Sequence, residues 1–290
     1  MMIDMQNREY FNGEWINPEE GSGKILGAGF FYGAGSFETM RAENGLVFKF
    51  NEHMNRLHKG LRYLGKESKH LPDPDNIREI ISDIIRKNKL EESPCRIRVQ
   101  CSLPERGYAL SNNKSLILHV SAEKIAPPGS TEYKLGQVQT RVVPDRCKPA
   151  HLKLCNMIHY RHAYREATQN GNDDALMLNM DHYVAETSKA NIFWMKGDHI
   201  FTPSIKCDML PGIMRNSIIG VIKQSFSKKK VIEGTFKNSE MSDANLIWIT
   251  NSIVEIREVT HLDGQLINMD ITFLNKLQTK FLEYKREYME

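Results

Sequence analysis

The sequence predicts an α+β chain of two domains, and three observations carry that expectation. In the first half the patterned segments run strand, helix, helix, strand, strand, which suits a layered arrangement better than a regular parallel βα repeat. The second half holds more short strand candidates than helices, which suits a compact, β-rich, barrel-like domain. Between them lies Ala126-Pro127-Pro128-Gly129-Ser130-Thr131, where two prolines, a glycine and two hydroxyl residues favour an extended connection. The expected division is a smaller N-terminal α/β domain over 1–125, a linker over 126–132 and a C-terminal domain over 133–290. A chain of 290 residues is long enough for two cores.

The elements follow in order. Residues 52–64 place Met54, Leu57, Leu61 and Leu64 on one helical face. Residues 74–90 are a second helix: Asp73 can cap it, Pro74 suits its first turn, and Ile77, Ile80, Ile81, Ile84 and Ile85 form a broad apolar stripe. Residues 96–101 alternate, with Ile97, Val99 and Cys101 on one side, and 116–120 read as a buried strand. In the second half a helix over 156–169 should stop near Gly171. Strands are expected at 175–178, 191–195 and 199–202, the last two joined through the hairpin turn Lys196-Gly197-Asp198. A helix over 213–226 and a strand over 246–249, ending in Thr250-Asn251-Ser252, complete the pattern.

Composition narrows the function classes. Hydrophobic residues make up 40% and charged residues 26%, the balance of an ordinary globular protein. A net charge of +3 is too small to argue for a nucleic-acid partner, and Lys228-Lys229-Lys230 reads as a solvated turn or helix end. The five cysteines are odd in number and none are paired at zinc-ligand spacing, so neither a disulfide framework nor a metal site is expected. Residues 1–10 carry Asp4 and Glu9 without an apolar core, unlike a secretory signal. No apolar run approaches the roughly 20 residues that span a bilayer. The expected setting is the cytoplasm, with no membrane partner.

No isolated motif announces an activity. The chain has no P-loop, no Gly-x-Ser-x-Gly elbow and no His-Glu-x-x-His. The glycine-rich stretch Gly29-Phe30-Phe31-Tyr32-Gly33-Ala34-Gly35 reads, taken alone, as a tight turn between strands. The information lies in seven segments in fixed order. They are Phe30 to Thr39, His53-Met54-Asn55-Arg56-Leu57, Leu152-Lys153-Leu154-Cys155-Asn156, Val184 to Phe193, Thr202-Pro203, Leu210-Pro211-Gly212-Ile213-Met214-Arg215, and Thr250-Asn251-Ser252. Together they resemble the class-IV aminotransferase family, the fold type IV pyridoxal-phosphate enzymes, from about residue 10 to 259.

The resemblance implies the two-domain fold of D-amino-acid-aminotransferase-like enzymes, with a β-rich C-terminal pseudobarrel, pyridoxal 5'-phosphate as cofactor, a homodimer and a small-molecule amine substrate. Such a cofactor needs an amine that holds it covalently and is displaced by substrate, which only lysine supplies. Lys153, followed by Asn156, matches the family's Lys-x-x-Asn. Glu186 matches the acid that keeps the pyridine nitrogen protonated, and Arg56 matches the phosphate arginine, whose fork suits an oxyanion. Phosphate is also implied at the amides of Ile213 and Met214, at an expected helix start, and at Ser252. Two places depart from the pattern: Met157 stands where relatives often carry a tyrosine, and Gly33-Ala34-Gly35 replaces the common Gly-Asp-Gly.

The family includes branched-chain and D-amino-acid aminotransferases and 4-amino-4-deoxychorismate lyases. Ser102-Leu103-Pro104-Glu105-Arg106-Gly107-Tyr108 resembles the lyase loop ending in Arg-Gly-Tyr. There Arg106 can pair with a substrate carboxylate and Tyr108 can line a ring pocket. Thr250-Asn251-Ser252-Ile253 also resembles the lyase element more than the Gly-Thr-Ala-Ala of branched-chain enzymes. The lyase, yielding 4-aminobenzoate and pyruvate in folate synthesis, is therefore the expectation, with an aminotransferase as the alternative.

Overall fold

The computed structural model describes residues 8–17, 27–105, 107, 115–127, 129–267 and 271–290. The fold is α+β with two units, one formed by Met1–Pro127, Leu152–Met157 and Met289–Glu290, the other by Pro128–His151 and Ile158–Tyr288.

The first unit contains β1 (Glu9–Phe11), β2 (Glu14–Ile16), α1 (Ala28–Tyr32), β3 (Gly35–Glu43), β4 (Leu46–Val47), α2 (Phe50–Tyr63), α3 (Pro74–Lys87), β5 (Cys95–Ser102) and β6 (Ile117–Lys124). Its strands form one antiparallel sheet in the order β2-β1-β6-β5-β3-β4. The isoleucine stripe of α3 forms a core with Leu57 and Leu61 of α2 and with Ile97, Val99 and Cys101 of β5. Burying each such side chain contributes about 1.5–3 kcal/mol. Asp73 does cap α3, its carboxylate accepting from the Asp75 amide at 3.2 Å. The helix expected over 52–64 begins two residues earlier, because Phe50 is itself buried in the core.

The glycine-rich stretch is not a turn between strands. It forms the short helix α1, closed by Gly33 at φ 67°, with Phe31 N–H donating to the Gly27 carbonyl at 2.9 Å. Gly33 meets the requirement of that left-handed residue without strain.

The second unit contains β7 (Lys134–Arg141), α4 (Ile158–Gln169), β8 (Asp174–Leu178), β9 (Val184–Thr187), β10 (Asn191–Lys196), β11 (His199–Pro203), α5 (Ile213–Ser225), β12 (Lys230–Gly234), β13 (Leu246–Asn251), β14 (Glu255–Glu258), β15 (His261–Leu262), β16 (Gln265–Leu266) and α6 (Thr272–Glu287). Two five-stranded sheets run β12-β11-β10-β13-β14 and β16-β15-β7-β8-β9. The expected hairpin joins β10 to β11 with Lys196 opposite His199, and Gly197 takes the positive φ of 56° that its turn needs. One core gathers Trp194, Ile192, Ile247 and Leu176 from both sheets. A second places Ala163 and Ala167 of α4 on Val138, Ala175 and Met177.

The helix expected from 156 starts at Ile158 instead. Residues 153–155 are engaged elsewhere: Ser36 and Leu154 form an antiparallel bridge, and the Cys155 amide donates to the Gly35 carbonyl at 2.8 Å. Among the described residues no helix is long and apolar enough to cross a membrane, and no group of three or more His, Cys, Asp or Glu is placed to hold a metal.

Candidate functional site

In the first unit Lys153 is presented by an extended segment clipped to β3. The Phe37 amide donates to the Lys153 carbonyl at 3.0 Å, and the Ser36 hydroxyl donates to the same oxygen at 3.2 Å. Directly opposed strand residues share a face. Leu154 lies opposite Ser36, and Ser36 lies opposite the buried Cys101. Leu154 therefore points into the helix-covered core, and a Cβ on Gly60 of α2 would collide with the Ser36 hydroxyl, so the helix approaches closely here. Alternation then sends Lys153 to the other face of the sheet. Its Nζ lies 4.7 Å from the Phe37 ring centroid.

That face also holds Arg98, whose guanidinium stacks on Phe37 at 3.9 Å and whose Nε and Nη2 both donate to Gln100 Oε1. Burial lowers the Arg98 pKa. It also pushes the Cys155 thiol up to about 11, against the pull of Arg98 and Lys153. Arg98 and Gln100 were absent from the residues singled out by sequence. The signal for them was the alternation of β5, which turns both away from the Ile97, Val99 and Cys101 side.

On the core face β3 buries Glu38, which is fully inaccessible to solvent. An unpaired carboxylate there would be costly. Two residues of α2 three positions apart meet it: His53 Nδ1 lies 2.7 Å from Glu38 Oε2, and Arg56 donates to both oxygens at 2.7 and 2.8 Å. Burial pushes the Glu38 pKa up, but attraction and hydrogen bonds from Arg56 and His53 outweigh it and hold the carboxyl at about 2. Burial lowers the His53 pKa, with Glu38 opposing. Arg56 is thus no helix-surface arginine, since 12% of its side chain is exposed and its plane is set by Glu38.

In the second unit Glu186 of β9 is 5% exposed. The Tyr160 hydroxyl of α4 donates to its Oε1 at 2.5 Å, the Leu210 amide donates to the same oxygen at 3.2 Å, and Asn191 Nδ2 donates to Oε2 at 3.2 Å. Burial raises the Tyr160 pKa well above its ordinary value, and the carboxylate raises it further, so the phenol stays a donor. Lys148, 8% exposed, places Nζ 5.6 Å from the Tyr160 ring centroid. Its pKa is lowered by burial, with Glu186 opposing. Burial and the charge of Lys148 bring His159 down to about 4.

Asn191 links this cluster to the amino end of α5. It donates to the Leu210 carbonyl at 2.8 Å, and a Cβ on Gly212 would collide with its Oδ1. The helix starts at Ile213, with Met214 next and no side-chain cap at Gly212. Opposite Asn191 in the sheet stands Thr250. Among the described residues the buried Thr250 hydroxyl has no hydrogen-bond partner. Ser252 lies in the turn between β13 and β14. Arg106 and Tyr108 lie outside the described residues. The loop before them is anchored, with Lys66 Nζ 3.1 Å from Glu105 Oε1 and the Ala28 amide donating to the Glu105 carbonyl.

The structure therefore brings Lys153 and Arg56 into one unit and Glu186, Ile213, Met214 and Ser252 into the other. Tyr160 and Lys148 were missed as neighbours of Glu186. Tyr160 lies three residues beyond Met157, but only folding shows that its hydroxyl meets an acid on β9.

Residues 35–262 match the model of a family described as Amino-transferase class IV. The chain is 27% identical over 261 residues to an aminodeoxychorismate lyase of Bacillus subtilis, covering 88% of this chain and 86% of that protein. It is 29% identical over 260 residues to a probable branched-chain-amino-acid aminotransferase of Rickettsia bellii, with the same coverage of 88% and 86%. In three dimensions it is similar to the branched-chain amino acid aminotransferase of Thermobaculum terrenum in its PLP-form. That likeness has a TM-score of 0.85 at 18% identity and covers 98% of each chain.

Proposed function

This chain belongs to the class-IV aminotransferase family, and from that premise we propose that it is a pyridoxal-phosphate enzyme whose reaction is the cleavage of 4-amino-4-deoxychorismate. The observation that supports the cofactor most directly is Glu186, a buried acid held by three hydrogen-bond donors. The donor set also fits the phosphate. The amino end of α5 offers uncapped amides with the positive end of the helix dipole. The buried Thr250 hydroxyl, without a hydrogen-bond partner among the described residues, stands on the strand facing Asn191.

When bound, pyridoxal phosphate supplies an electron sink for charge developing on the carbon next to the substrate nitrogen. In this reading Lys153 holds the cofactor covalently until substrate displaces it. Glu186 keeps a proton on the ring nitrogen. Ile213, Met214, Ser252 and Arg56 hold the phosphate, with the Arg56 plane fixed by Glu38. The released Lys153 amine takes the proton from the carbon bearing nitrogen and returns one to the departing three-carbon fragment, giving pyruvate. Ring aromatisation to 4-aminobenzoate drives the cleavage. Arg106 is proposed to pair with a substrate carboxylate and Tyr108 to line the ring pocket, in an enzyme working as a homodimer.

The lyase is favoured by the Arg106-Gly107-Tyr108 sequence and by similarity to the Bacillus subtilis lyase. Transamination to a 2-oxo acid is the second reading, favoured by similarity to the Rickettsia bellii protein. A side-by-side assay separates them. The lyase releases pyruvate from 4-amino-4-deoxychorismate with no added keto acid, whereas an aminotransferase stalls until an acceptor such as 2-oxoglutarate is supplied. Amino transfer from leucine or D-alanine without pyruvate release would replace the first reading with the second. Borohydride reduction followed by peptide mapping should find the cofactor on Lys153; a label on Lys148 or Lys189 would refute the site.

A further inference from the structure

The proposed reaction uses Glu186 but leaves unexplained why a phenol donates to it and why a buried ammonium lies beside that phenol. We infer that Tyr160 is a positioning residue for Glu186, weakening the basicity of its carboxylate so that the shared proton stays on the cofactor's ring nitrogen. This rests on the reading of Glu186 as the ring-nitrogen partner. The Tyr160 bond, at 2.5 Å, is shorter than those from the Leu210 amide and Asn191 Nδ2, each at 3.2 Å. Hydrogen bonds to the charged form of an acid stabilise that form, and a short O–H···O⁻ bond does so strongly.

A proton shared between a carboxylate and a pyridine nitrogen goes to the stronger base. Each donor on Glu186 stabilises the arrangement with the negative charge on oxygen and the proton on nitrogen. Burial enlarges the effect, because little water is present to replace a lost donor. The phenol keeps its proton near neutrality and so remains a donor to the carboxylate. Lys148 adds positive charge on the same side, with Nζ 5.6 Å from the centre of the Tyr160 ring. This phenol is directed to the acid that serves the ring nitrogen.

The test uses full-length protein loaded with pyridoxal phosphate labelled with ¹⁵N in the ring. In the parent protein the nitrogen resonance should have the shift of a protonated pyridine. In Tyr160→Phe, which keeps the aromatic ring and removes one oxygen, it should move toward the unprotonated value, and turnover should fall roughly tenfold to a hundredfold. Lys148→Met should move the resonance in the same direction by less, and it decides the matter if the Phe variant does not fold. A merely structural role for Tyr160 would lower thermal stability and leave the resonance in place. An unchanged shift in both variants, with the parent nitrogen protonated, overturns this inference and leaves the proposed function standing. A parent protein that carries no cofactor on Lys153 overturns both.

Discussion

Replacing Glu38 by glutamine should be among the most destabilising single changes in the first unit. Glu38 is fully buried and carries its charge between Arg56 and His53. Its carboxyl falls from 4.5 to about 2, which at about 1.4 kcal/mol per pKa unit amounts to about 3 kcal/mol of stability at neutral pH. Removing one partner of a buried ion pair costs about 3–5 kcal/mol by an independent route, so the two agree in scale. Because the folded pKa lies below the unfolded one, this stability is fully present above pH 4.5 and is lost as the pH falls toward 2. Glu38→Gln should therefore lose about 3 kcal/mol at pH 7, a fall of roughly 10 °C in the unfolding midpoint of a unit this size. It should also lose the part of the acid-limb slope that Glu38 contributes. Urea and thermal unfolding of cofactor-free protein, followed by circular dichroism, measure both. Combining Glu38→Gln with Arg56→Ala should recover part of the loss, since no charge is then left without its partner. A single variant within about 1 kcal/mol of the parent at pH 7 would refute the reasoning.

If Arg56 holds the phosphate as proposed, Arg56→Ala should weaken cofactor affinity roughly tenfold to a hundredfold through loss of a charge-assisted contact. An unchanged dissociation constant in fluorescence titration would confine Arg56 to supporting Glu38. Glu186→Gln should keep the fold and still load cofactor while turnover falls steeply, because an amide cannot hold the proton on the ring nitrogen; near-parental turnover would remove Glu186 from the site. Arg106→Ala should damage 4-amino-4-deoxychorismate cleavage yet leave the visible spectrum of the loaded protein intact, and Arg106→Lys should also be impaired because a bidentate fork is lost. Full activity of both Arg106 variants would exclude that residue from carboxylate binding.

Local patterns in the sequence were enough for what periodicity encodes. The isoleucine stripe of α3, its Asp73 cap and the hairpin through Gly197 each depend on residues close in the chain, and each stands where expected. Strands without clean alternation were not legible. The second sheet face of β9 is buried as well as the first, so Val184-Ala185-Glu186-Thr187 shows no period of two. The long strand β3 went unrecognised because Ser36 and Glu38 occupy core-facing positions normally held by apolar residues. The amphipathic helix α6 was also missed.

The motifs in the sequence marked Lys153 and Glu186 as candidates, and the helix expected from Ile213 starts there. Tertiary structure alone decided what surrounds them. Lys153 faces Phe37 because its neighbour Leu154 is drawn into a core made by residues about a hundred positions away. Glu38 tolerates full burial because α2 brings His53 and Arg56 against it. Tyr160 meets Glu186 only once α4 has packed on the sheet that contains β9, 26 residues further along the chain. A side chain's type is written in the sequence, but its charge state and the direction of its hydrogen bonds depend on what folding places beside it. Those partners come from distant segments, whose approach is set by the packing of the whole unit.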